Sequence, residues 1–222
     1  MIRRDDEKAL LVEYLRELHL PTVRSSFEEA ARRAEKETLS YERYLLELAQ
    51  RECEVRRQNR VGRLLRQSRL PLEKDLANFD LKRLPAKVAR QVKTLLDGTF
   101  LDRKENLLAF GKPGSGKTHL LCAIGQELIR NDRKVYFSSC GLMVQELLIA
   151  KRDLKLSRVL KRLDGYDALI LDDLGYVQHS REEMEVLFTL LAERYERGSV
   201  MITSNLPFSK WEAIFKDPMT TA

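Results

Sequence analysis

Residues 107–130 read LLAFGKPGSGKTHLLCAIGQELIR, and the order of chemistry within them decides the fold. A short apolar run, 106–110, fits a strand. HLLCAIGQELI repeats apolar positions at helical spacing, so a helix spans 117–130. Between them, 111–118 satisfies G-x-x-x-x-G-K-[ST], with the strand before and the helix after that the pattern requires. Gly111, Gly114 and Gly116 let backbone N–H groups turn inward around phosphates, and Lys112, Pro113 and Ser115 complete the cradle. Lys117 is placed to reach the β- and γ-phosphates and Thr118 to hold Mg²⁺ through its hydroxyl. The helix beginning at Lys117 points its positive end at the anion. ATP and Mg²⁺ are the expected ligands, with His119 beside the cradle.

A second stretch, ALILDDLG at 168–175, is an apolar run that ends in two carboxylates. Four consecutive apolar residues suit a strand buried on both faces. Asp172 at its C-terminal end is the second candidate for Mg²⁺. Asp173 is the candidate to orient and deprotonate an attacking water. A third stretch, VMITSNLP at 200–207, ends a buried strand in Thr203, Ser204 and Asn205. Where a strand is inserted between the two nucleotide motifs, a polar residue at its end senses the γ-phosphate. Asn205 is the first choice and Thr203 the second.

Outward from these motifs, strands at 106–110, 135–138, 168–171 and 200–203 alternate with helices at 117–130, 141–150, 154–163, 181–196 and 208–215. Alternation of this kind predicts a three-layer α/β domain on a parallel sheet. Residues 1–70 differ: Gly62 is the sole glycine and Pro21 the sole proline, amid Leu, Glu, Arg and Ala. They read as a small all-α domain with helices at 6–19, 23–37 and 40–68, the last capped by Ser40. Residues 71–98 read as a linker and lead-in helix, and 99–222 as the nucleotide-binding core. The third helix is ambiguous. Tyr41, Tyr44, Leu45 and Leu48 make one apolar stripe, and Val61, Leu64 and Leu65 another on nearly the opposite side. QRECEVRRQNR between them is almost wholly polar. Either the helix breaks near 52–58 or its two ends pack on different bodies.

Charge and composition narrow the class. The net charge is +6 and the pI about 9.2, a balance that points to anionic partners. No run suits a membrane helix, and the N-terminus lacks the apolar segment of a signal peptide. Cys53, Cys122 and Cys140 form no C-x-x-C pair and read as free thiols of a reducing cytoplasm. The three histidines are scattered, which argues against a metal site built on them.

GKPGSGKTHL, LILDDLG, RYERGSVMITSNLPFSKW and SRLPLEKDLANFDL together resemble the IstB-like ATP-binding proteins, helper ATPases of bacterial insertion sequences related to DnaC and DnaA. The likeness runs over nearly the whole chain. It implies an AAA+ P-loop fold, ATP-dependent homo-oligomeric assembly on double-stranded DNA, and recruitment or stimulation of a transposase. It also implies that Phe79, in NFDL, lies near the adenine. The family's arginine that completes a neighbour's active site, and its small lid domain, would lie beyond FKDPMTTA. No arginine follows Arg197. Weak hydrolysis by this chain is therefore expected, with Arg194 and Arg197 as the remaining candidates for that charge. A DnaC-like helicase loader is the nearest alternative, and a small-molecule kinase on the same loop the third.

In that clade an extra helix before the acidic strand contacts DNA. Here the segment reads CGLMVQELLIAKRDLKLSRVLKRLDG. Leu156, Val159, Leu160 and Leu163 make an apolar face. Lys151, Lys155, Arg158 and Arg162 are expected on the opposite face, as a DNA-binding surface of one sign. A second basic run, Arg56 to Arg69, ranks below it.

Overall fold

The computed structural model describes residues 4–175 and 180–211. The chain divides into two compact units, 1–62 and 63–222.

The first unit contains α1 (Arg4–Glu17), α2 (Pro21–Glu37) and most of α3 (Tyr41–Ser68). Pro21 opens α2 at the position where a missing N–H costs nothing. The Ser40 hydroxyl accepts from the Arg43 amide at 3.2 Å, as an N-cap does. Helix α3 runs unbroken for 28 residues, so no break occurs at 52–58. The polar stretch is explained instead by Glu52, only 3% exposed. Its Oε2 accepts from the Thr22 and Val23 amides at 2.8 and 3.0 Å, capping α2 from a neighbouring helix. Its Oε1 accepts from Arg56 Nε at 2.8 Å, and the Arg56 guanidinium also donates to the His19 carbonyl. The expected Tyr41–Leu48 stripe is only half used. Leu48 is buried and the Tyr44 hydroxyl donates to the Phe27 carbonyl, but Tyr41 and Leu45 are exposed. The inward line of α3 is Tyr44, Leu48 and Glu52, one residue per turn.

The second unit is built on four parallel strands: β1 (Leu107–Phe110), β2 (Val135–Ser139), β3 (Ala168–Leu174) and β4 (Ser199–Ser204). Their order is β1-β4-β3-β2. Side chains alternate across a strand, and β3 shows the consequence. Leu169 and Leu171 face a cluster formed with α7 (Cys140–Arg152), α8 (Leu156–Asp164) and α9 (Arg181–Arg194). Ile170 faces the other way, onto α6 (Lys117–Arg130), where a Cβ at Gly125 would come within 2.9 Å of its Cδ1. That gives helix, sheet and helix: three layers. Ser180 and Glu183 start α9 with reciprocal bonds of 2.6 and 3.3 Å between side chains and amides. Short α4 (Ala86–Leu95) and α5 (Thr99–Asp102) precede β1. The 3₁₀ turn Phe208–Lys210 stands where a helix at 208–215 was expected, and the rest of that span lies outside the described residues.

The segment between α3 and α4 is pinned to α6. Gln126 Nε2 donates to the carbonyls of Pro71, Leu72 and Lys74 at 3.3, 3.3 and 3.1 Å. His119 Nε2 donates to the Asp75 carbonyl at 2.9 Å. Leu70, 5% exposed, sits on Gly125.

Candidate nucleotide site

Strand β1 delivers the chain into the glycine loop, and α6 takes it away. Gly114 and Gly116 have φ of 75° and 85°, a region costly for other residues. Gly111 is needed for space, since a Cβ there would meet the Ser115 hydroxyl at 2.7 Å. Lys117 Nζ donates to the carbonyls of Gly111 and Lys112, at 2.9 and 3.1 Å. The ammonium thus folds over its own loop. The first turn of α6 adds amides that have no intrahelical partner.

Parallel β4 lies between β1 and β3 and carries its polar end into the same place. Thr118 Oγ1 donates to Asp172 Oδ1 at 2.8 Å, joining positions 54 residues apart. The buried Thr203 hydroxyl donates to the same oxygen at 2.6 Å and accepts from the Asp173 amide at 2.8 Å. The β3–β4 register shifts between Leu171 and Leu174, and Asp173 adopts φ 61° at that kink. So Asp172 is buried against the loop helix while Asp173 is turned outward and exposed. Desolvation, and then the neighbouring Asp172, hold the Asp173 carboxyl above the usual range, against the pull of Lys117 and Lys74. Asn205 lies just beyond β4, its Oδ1 buried without a partner. It is Thr203 that touches the acidic pair.

A cleft of about 850 Å³ opens beside the loop. Phe79, Leu84, Pro85 and Val88 line one part of it, and Gly111, Ser115, Gly116 and Lys117 another. A Cβ on Gly116 would approach the Phe79 ring at 3.3 Å, and His119 meets that ring edge-on at 5.1 Å between centroids. Phe79 and His119 therefore flank the loop, while Lys112 and Pro113 shape its turn.

The family described as IstB-like ATP binding protein matches residues 13–222. The chain belongs to this IstB-like family. An insertion sequence ATP-binding protein of Sinorhizobium fredii is 39% identical over 216 residues, 97% of this chain and 72% of that one. The IS21 ATP-binding protein of Pseudomonas aeruginosa is 36% identical over 212 residues, 95% of this chain and 78% of that one. Among solved structures, AMPPCP-bound DnaA of Aquifex aeolicus superposes with a TM-score of 0.59 at 21% identity, over 69% of this chain and 48% of that one. The DnaC helicase loader gives 0.59 at 17%, over 67% and 90%. These superpositions show that the chain shares its fold with DnaA and DnaC, the fold that the sequence leads us to expect.

The basic insert of this IstB-like chain differs from its sequence reading. Leu154, at φ 58°, separates α7 from α8, so Lys151 shares no helix with Arg158 and Arg162. Carboxylates neutralise most of the expected face. Lys151 pairs with Glu185 at 2.9 Å, Lys155 with Asp153 at 3.2 Å, and Arg162 with Glu146 at 2.5 Å. Arg158 is exposed. The two last arginines are also committed. Arg194 is 2% exposed and donates to the carbonyls of Leu163, Tyr166, Asp167 and Ser199 at 2.8–3.2 Å. It is a buried strut and cannot reach a neighbouring subunit. Arg197 pairs with Asp164 and Glu193 at 2.7 and 3.1 Å. Cys122 and Cys140 are free and buried, and burial pushes both thiols up to about 12. No described helix is long and apolar enough to cross a membrane.

Sequence reasoning ranked Thr203 second and passed over Lys74. The strand period puts Thr203 and Asn205 on the same face and so does not choose between them. Nothing local marked Lys74, whose charge acts on Asp173 from a segment that Gln126 holds on α6.

Proposed function

We propose that this IstB-like chain is an ATP-dependent helper of transposition, which assembles as a homo-oligomer on double-stranded DNA and recruits or stimulates a transposase. The observation that carries the catalytic part is the joining of Thr118 and Thr203 on one oxygen of Asp172, with Asp173 turned outward beside them. Thr118 and Asp172 are oxygen donors, the kind that Mg²⁺ takes, and they are the residues that would hold it. When bound, the ion neutralises charge on the transferred phosphoryl group.

The protein's own groups have distinct tasks. The loop amides and the first turn of α6 bind the phosphates. Lys117 exchanges its two carbonyl partners for phosphate oxygens, a stronger charge-assisted contact. Asp173 accepts the proton of the attacking water, and its raised pKa makes it the better base. Thr203 fixes the kink that presents Asp173, and Asn205 closes the strand end beside it. Phe79 and His119 form the wall toward the base.

The DNA part rests on other support. Relatives are named for insertion sequences, one DnaA neighbour was solved with single-stranded DNA, and the chain is basic. The test is particle size and duplex binding, each with and without ATP, in the parent and in Lys117→Ala. The parent is expected to assemble and bind DNA only with ATP, and the variant to lose tight nucleotide binding and both responses. Equal nucleotide affinity in the two proteins would remove Lys117 from the site. Nucleotide binding without any change in size or DNA affinity would remove the assembly role.

A further inference from the structure

The two basic stretches, 56–69 and 151–162, look like rival DNA surfaces in the sequence. The fold brings one arginine of each to the same ring. Arg69, one residue past α3 and at φ 59°, has its guanidinium carbon 5.3 Å from the Tyr136 centroid. Arg162, on α8, stands 5.8 Å from it. Tyr136 lies on the edge strand β2 and is 3% exposed, and its hydroxyl is buried without a partner. A depression of about 220 Å³ adjoins, lined by Lys134, Arg162, Gln67 and Tyr166 among others.

The charges here do not balance. Glu146 reaches Arg162 at 2.5 Å. Asp167 is close, but its Oδ2 accepts from the Lys134 amide, at 2.7 Å, and not from the ammonium. Among the described residues no carboxylate pairs with Arg69 or with the Lys134 side chain. Of the three cations, only Arg162 is paired with a carboxylate, and Asp167 leaves the group with a net positive charge. Gathering like charges costs energy, which an anion between them returns. Guanidiniums laid on an aromatic ring are also held in place, so less side-chain entropy is lost when they bind.

We propose that Arg69, Lys134 and Arg162 form a seat for a backbone phosphate of duplex DNA, separate from the nucleotide cradle. This rests on the DNA-binding reading above. It changes that reading in one respect: the two basic stretches act together, and paired Lys151 and Lys155 are not part of the contact.

The experiment measures affinity for a mixed-sequence duplex oligonucleotide against salt, with the full chain and saturating ATP. Arg69→Gln/Arg162→Gln should lower the slope of log K against log salt by about 0.9 for one phosphate lost. The weakening should be equal across duplex sequences, because phosphate contacts carry little sequence information. Arg69→Lys/Arg162→Lys keeps the charge and should restore the slope. Lys134→Gln alters an exposed side chain, survives folding even if the double variant does not, and should weaken binding in the same direction. Lys104→Gln removes one charge elsewhere and should leave binding at the parental level. A parental slope and affinity in both Lys134→Gln and the arginine double variant overturns the seat, even if the double variant melts earlier. A parent that binds no DNA overturns the seat together with the DNA-binding reading.

Discussion

Thr203→Val is the sharpest probe of the nucleotide site, because it keeps the shape and removes one hydroxyl. In the parent that hydroxyl donates to Asp172 at 2.6 Å and accepts from the Asp173 amide at 2.8 Å. The valine leaves the part-buried Asp173 N–H without an acceptor, while Asp172 Oδ1 keeps its bond from Thr118. One unsatisfied group costs about 1–3 kcal/mol, and that is the expected loss. For a chain of this size that lowers Tm by roughly 2–12 °C. The consequence for turnover is separate. Without the latch, Asp173 loses the bond that holds its kink, and hydrolysis should fall at least tenfold, about 1.4 kcal/mol of barrier. Nucleotide affinity should change far less, since the phosphate contacts come from the loop and α6. Thermal unfolding and steady-state hydrolysis would be measured side by side, with Thr203→Ser as the hydroxyl-keeping partner. A valine variant with parental Tm and parental turnover would refute the reasoning, and a serine variant as poor as valine would show that the methyl matters instead.

Asp173→Asn should retain ATP binding and lose on the order of 10²–10⁴ in hydrolysis, since a positioned base contributes that much; unchanged turnover by phosphate release would move the base elsewhere. Glu52 is held below the usual carboxylate range: burial pushes it up, but Arg56 and the Val23 and Thr22 amides outweigh burial. Its contribution to stability is therefore complete above the ordinary glutamate pKa and disappears as the pH falls through the lower folded value. Hydrogen exchange at Thr22 and Val23 should accelerate over that acid window in the parent and be fast at all pH in Glu52→Gln, whereas equal protection in both would exclude the cap. Arg194→Met leaves four carbonyls short of a donor and should cost about 1–3 kcal/mol or more, as unsatisfied buried acceptors do; denaturant unfolding with a parental midpoint would show the strut to be dispensable.

Much of this was legible because the decisive features are local. A strand, a glycine turn and a helix follow one another within 107–130, and the acidic pair ends its own strand. What escaped depends on partners distant in sequence. The polar stretch in α3 looked like a break because the amides that Glu52 caps lie about thirty residues earlier, in another helix. The insert looked like a surface of one sign because Glu185 and Glu146, which neutralise it, sit on α9 and on the previous turns of α7. Thr203 ranked below Asn205 because the register shift at Leu171–Leu174 is a property of two paired strands. No single strand's pattern contains it.

The segment held across α6 bears on where the nucleotide-binding core begins as a piece of protein. By sequence, its first strand starts at Leu107 and a cut at residue 99 looks clean. Such a cut would strip Leu70 from the groove at Gly125, beneath which Ile170 of β3 lies. It would also leave Gln126, almost fully buried, without three acceptors, and His119 without one. The helix that cradles phosphate is finished by residues that precede it by some fifty positions. The smallest self-sufficient nucleotide-binding core therefore begins before Leu70, inside the last turn of α3.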